Sequence, residues 1–133
     1  MKKKTVLYTL SLLAMGTLFM SQKSAEGIIT KGEDGMTVIN TTTLASDVEG
    51  YAGTTPVKIY IRKNKIERVE ALPNTETPKY FVLIKKNLLD KWNGLLVKDA
   101  AKQQVDVVTG ATYSSDAVIE NVRRGINYYN KSK

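Results

Sequence analysis

The 133-residue chain contains no cysteine and no histidine. The first absence excludes a disulfide framework, a thiolate metal site, a cysteine nucleophile and a lipid-modified N-terminal cysteine. The second removes the commonest metal ligand and the commonest general base, so hydrolytic triads and zinc chemistry lack their usual parts. Redox or transfer chemistry on such a chain must be performed by something bound to it. Proline is scarce, at three residues, and from Glu26 onward neither a Gly/Ser- or Pro-rich linker nor an internal repeat divides the chain. A composition that is 42% apolar and 25% charged, at this length, is that of one globular domain.

Twenty basic residues against thirteen acidic give a net charge of +7, which taken whole points to an anionic partner such as nucleic acid. The distribution of that charge removes the inference. Lys2, Lys3 and Lys4 precede the uncharged, Leu- and Met-rich run from Thr5 to Gln22, the pattern of an export signal. Lys23 stands where a cleavage site before Glu26 would need a small residue, so residues 1–25 read as a signal peptide or as an uncleaved N-terminal anchor. As a helix the run would reach ~27 Å, close to the ~30 Å of a bilayer's hydrocarbon core. A buried N-terminal helix is the remaining reading. Both export readings keep the lysines inside and place residues 26–133, one domain, outside the cytoplasm: periplasmic, cell-surface or secreted. That domain retains sixteen basic and thirteen acidic residues, a net +3. The adjacent basic pairs Lys85-Lys86 and Arg123-Arg124 are those of solvated helix faces, and no nucleic-acid partner is expected.

Ile28 to Asn40 has two β-rich arms around Gly32-Glu33-Asp34-Gly35. Val57–Ile61 and Ile66–Ala71 read as alternating strands that pair, with Asn64 suited to the left-handed turn position between them. Pro73 and Pro78 bracket a loop. The spacing of Phe81, Ile84, Leu88 and Leu89 then predicts a helix over Tyr80–Leu89, closed by Asn93-Gly94. Val118, Val122, Ile126 and Tyr129 predict a last helix over Ser115–Tyr129, with Ser114 or Ser115 as N-cap and Asp116 in its first turn. The expected class is α+β: a small, largely antiparallel sheet with flanking helices. Asn40-Thr41-Thr42 and Asn130-Lys131-Ser132 fit a glycosylation pattern common by chance and receive no role.

Asp106-Val107-Val108-Thr109-Gly110-Ala111-Thr112 stands directly before that last helix. Gly110 and Ala111 leave little bulk, so another molecule can approach the backbone and the Thr112 hydroxyl. A helix start offers free N–H groups and the positive end of its dipole, which suits a phosphate. An Asp-anchored turn followed by a serine cap accounts for the same residues, and the residues alone leave both readings open.

The segment resembles the flavinylation motif of the FMN-binding domain family, found in the C subunit of the sodium-pumping NADH:quinone reductase and the G subunit of the Rnf complex. The family pattern is Asp, two residues, Ser or Thr, Gly, Ala, Thr, matched here by Asp106, Thr109, Gly110, Ala111 and Thr112. The resemblance extends over a β-hairpin, a Glu-Thr-Pro loop (Glu76-Thr77-Pro78), a helix, the motif and a final helix, roughly Asp47 to Tyr129. It implies FMN attached through its phosphate to the Thr112 hydroxyl by a separate flavin transferase that uses FAD. The chain would be the substrate of that transferase, and an electron-transfer flavoprotein or redox-complex component rather than a stand-alone enzyme. Its redox partner, membrane-bound or at the surface, is not encoded in these residues.

On this resemblance Asp106 anchors the loop or is read by the transferase, Thr109 and Gly110 shape the bend, and Ser114 or Ser115 caps the helix and bonds the phosphate. Glu76 and Thr77 match the loop that lies near the flavin ring. Lys79 stands where the family often has glycine, adding a cation that would favour a reduced, anionic flavin. Tyr80, Trp92 and Tyr113 are aromatics that either stack on the ring or belong to the core. A binding module or scaffold subunit of the same fold without covalent flavin is the alternative function.

Overall fold

A computed structural model describes residues 27–133, so residues 1–25, expected from the sequence to be a signal peptide or anchor, lie outside the described residues. Four strands, β1 (Ile29–Lys31), β2 (Thr37–Asn40), β3 (Val57–Arg62) and β4 (Lys65–Ala71), form one antiparallel sheet in the order β1-β2-β3-β4. Three helices follow: α1 (Pro78–Asn87), the single turn α2 (Val97–Ala100) and α3 (Thr112–Lys131), with a 3-10 turn at Leu89–Trp92. The fold is α+β, as the sequence pattern predicts. Among the described residues no helix is long and apolar enough to cross a membrane.

The hairpins follow from local chemistry. Asp34 and Gly35 both have positive φ in the turn that joins β1 to β2. Between β3 and β4 the two-residue loop uses Lys63 (φ 51°) as well as Asn64 (φ 62°), because a turn matching the strand twist needs two left-handed residues in succession. The expected simple alternation in β4 is corrected by a bulge. Tyr60 pairs with Arg68 but Ile61 pairs with Ile66, leaving Glu67 unopposed. The extra residue resets the phase, so Ile66 and Val69, three apart, both point into the core.

That core lies between one face of the sheet and the helices. Ile39, Val57, Ile59, Ile61, Ile66 and Val69 are buried with Phe81, Ile84, Leu88 and Trp92, and with Val118, Val122 and Ile126 of α3. The other sheet face carries Tyr60 with the Arg68 guanidinium 3.7 Å over its ring. At Gly125 the last helix lies so close that an added Cβ would stand 2.6 Å from Ile59 Cδ1 and 3.0 Å from Thr41 Cγ2.

Both helix boundaries differ from the sequence expectation. Helix α1 begins at Pro78, whose missing N–H costs nothing at a first helical position, and stops before Leu88, which turns into the 3-10 segment. Helix α3 begins at Thr112 with Ala111 in the cap position and no side-chain cap, so neither Ser114 nor Ser115 is the N-cap and Asp116 lies beyond the first turn. Both serine hydroxyls are engaged elsewhere.

Candidate functional site

The motif bends where its small residues allow. Ala111 N–H donates to the Val108 carbonyl at 3.0 Å, closing a turn in which Gly110 takes φ +88°, a conformation that L side chains rarely adopt. Ser115, fully buried, accepts from the Val108 N–H at 3.0 Å and so fastens the start of this turn to α3. Asp106 is exposed and has no side-chain partner among the described residues, so loop anchoring falls to Ser115.

The chain therefore enters α3 with Thr112 exposed in the first helical position. Among the described residues no side chain caps this end, so the N–H groups of Thr112, Tyr113 and Ser114 lack helix acceptors at the positive end of the dipole of a twenty-residue helix. Gly110–Ser114, Thr77, Tyr51 and Tyr80 line a cleft of about 420 Å³ there, of the size of a small-molecule site. Thr109 is exposed at the turn beside it.

Glu76 forms the floor of this arrangement. Its carboxylate is buried, and Oε1 accepts from the Tyr51 N–H at 2.8 Å and from the Ser114 hydroxyl at 2.5 Å. Oε2 accepts from the Ala52 N–H at 2.5 Å. Asn74 Oδ1 accepts from the Glu76 N–H at 3.0 Å, turning the side chain inward. Thr77, in the cap position just before α1, faces the cleft; its carbonyl accepts from the Tyr80 and Phe81 N–H groups.

The structure thus brings Thr112, Gly110, Ala111, Ser114 and Thr77 to one cleft, with Glu76 beneath it through Ser114. It does not bring Ser115 to the cleft surface, because that hydroxyl is buried on Val108. Trp92, 2% exposed, is core. Tyr80 and Tyr113 line the cleft, and the Lys79 ammonium lies 5.7 Å from the Tyr80 ring centroid.

The sequence reading overlooked Tyr51. Its signal was the segment Gly50-Tyr51-Ala52-Gly53, an aromatic flanked by small residues. Gly50 N–H donates to the Gly53 carbonyl at 2.7 Å, and a Glu49–Thr54 bridge closes the loop. A Cβ at Gly50 would collide with Glu76 Oε1 and stand 3.3 Å from the Ser114 Cα, so glycine at that position lets this loop sit on Glu76.

A profile described as the FMN-binding domain matches residues 50–127, from the start of this loop to within the last helix. No curated protein and no solved structure matches the chain. The matched residues cover more than half of the chain and contain the cleft, its glutamate floor and the helix start, and the chain belongs to the FMN-binding domain family.

Proposed function

We propose that this chain is an exported, single-domain flavoprotein that carries FMN as a phosphoester on Thr112 and serves in extracytoplasmic electron transfer. The carrying observation is the position of Thr112, an exposed hydroxyl at the uncapped start of a twenty-residue helix and at the mouth of a cleft. The residues present fit the group. Three unpartnered N–H groups and the helix dipole suit the phosphate. The cleft is walled by aromatic and small side chains, which suits a planar ring.

The chain's part in attachment is to present its hydroxyl. Thr112 Oγ1 forms the bond to phosphorus while the pyrophosphate bond of FAD breaks, releasing AMP; the hydroxyl proton goes to a base of the transferase. A chain without histidine or cysteine has poor material for activating that hydroxyl itself, which agrees with a separate enzyme. Once bound, the flavin supplies one- or two-electron transfer. Gly110 keeps the approach to Thr112 open, and Glu76 holds the helix start and the Tyr51 loop in register. A tether suits an exported carrier, which could not readily replace a lost flavin.

Co-expression with a flavin transferase tests this reading. Yellow fluorescence should stay with the denatured polypeptide at the mass increment of FMN, and Thr112→Ala should abolish it with the circular dichroism spectrum unchanged. Flavin released on denaturation would instead describe a reversible binder, and no flavin at all a binding module or scaffold.

A further inference from the structure

Single exposed tyrosines are ordinary on a protein surface, whereas several gathered on one cleft call for a ligand. Tyr51 and Tyr113 are 74% and 69% exposed, yet their ring centroids lie 6.5 Å apart with the planes inclined at 37°. Tyr80, 46% exposed, lines the same cleft. Tyr113 is set by α3. Tyr51 is set by Glu76, which takes the N–H of Tyr51 and of the next residue and is itself held by Ser114 beside Tyr113. The two rings therefore stand on a shared, buried base while both side chains remain largely exposed.

At that distance and tilt the two rings touch as an aromatic pair. A planar ring between them needs them roughly parallel and ~7 Å apart, two stacking contacts of about 3.5 Å each, and both side chains are exposed enough to rotate into that arrangement. Both rings flank the cleft beside Thr112. We propose that Tyr51 and Tyr113 form an aromatic clasp for a planar heteroaromatic ring, the isoalloxazine of FMN, with Tyr51 as the principal stacking residue and Glu76 as its positioning residue. This rests on the flavin reading above and adds the ring-binding residues to it.

The full chain loaded by a flavin transferase provides the test. A tyrosine in van der Waals contact quenches flavin emission by donating an electron to the excited ring, so in a Tyr113→Phe background, which leaves Tyr51 as the electron donor of the clasp, Tyr51→Ala should raise flavin fluorescence several-fold. Tyr51→Phe should also raise it while keeping the visible circular dichroism of the parent, because phenylalanine stacks but is a poor electron donor; a purely structural role would not produce that split. Tyr128→Ala, toward the other end of α3, should leave both signals unchanged. In the Tyr113→Phe background, emission unchanged by Tyr51→Ala would overturn the clasp. If the denatured parent chain carries no flavin, the attachment reading fails and the clasp is judged on free FMN. Tyr51→Ala should then bind about ten-fold more weakly, the scale of one lost stacking face. Equal affinity, or no binding of free FMN by the parent, overturns the proposal.

Discussion

The Ser114 hydroxyl donates to Glu76 Oε1 at 2.5 Å, joining residues 38 apart in the sequence. The same carboxylate holds the Tyr51 and Ala52 N–H groups, so one buried side chain ties the start of α3 to the loop that carries Tyr51. Glu76→Ala would leave three donors without their acceptor. The expected loss is about 2–4 kcal/mol, read from urea denaturation as a lower midpoint at unchanged slope. Glu76→Gln keeps the shape and should lose about half as much, because one amide oxygen still accepts. A loss within about 0.5 kcal/mol for the alanine variant would mean that water replaces Glu76 freely.

Gly125→Ala sets two effects against each other. In an exposed helix the change gains about 1 kcal/mol of helix propensity. Here the new methyl would meet Ile59 and Thr41, both fully buried, one on the sheet and one just after β2. Overpacking of a closed core costs about 1–3 kcal/mol, which exceeds the gain. The variant should therefore unfold at a lower temperature, and a raised Tm would show that helix and sheet can separate at no cost.

The strands and the last helix were legible because each rests on local chemistry, alternation in Val57–Ile61 and a four-and-three stripe from Val118 to Tyr129, and the family was legible in the fixed spacing from Asp106 to Thr112. The errors arose where a distant partner overrides local preference. Ser114 and Ser115 have the chemistry of caps, but Glu76 claims one hydroxyl and the Val108 N–H the other. The β4 bulge was hidden because Ile66 and Val69 share a face only once Glu67 is left unopposed. Tyr51 was missed because its importance comes from a contact with Glu76, 25 residues away.

Acid should weaken the tie between α3 and the segment after β2. Arg124 contacts Asp47 at 2.5 Å and Glu120 at 3.4 Å, while Arg123 contacts Glu120 at 2.5 Å. The Arg124 hydrogen bond holds the Asp47 carboxyl below its ordinary range, and the Arg123 hydrogen bond does the same for Glu120. A carboxyl lowered on folding stabilises fully above its unfolded value, about 4, and loses that contribution as pH falls through the folded value. The denaturation midpoint should accordingly fall below about pH 4, less steeply for Arg124→Met than for the parent. Salt at ~1 M should shrink the difference, since the Asp47 carboxylate is largely exposed. Parallel acid limbs for variant and parent would show that the ion pairs contribute nothing.

Ser115→Ala isolates the fastening of the motif itself. The hydroxyl is fully buried and accepts from the half-buried Val108 N–H, so its removal leaves a donor without a partner. The expected cost is about 1–2 kcal/mol, concentrated in the turn rather than in the sheet. Hydrogen exchange at the Val108 amide should quicken about ten-fold while the β3 amides keep their protection. On the proposed attachment, the loosened turn should also slow FMN transfer to Thr112 without lowering its final extent, because the Thr112 hydroxyl is untouched. Unchanged exchange at Val108 would show that the turn is held by the Gly110 bend alone.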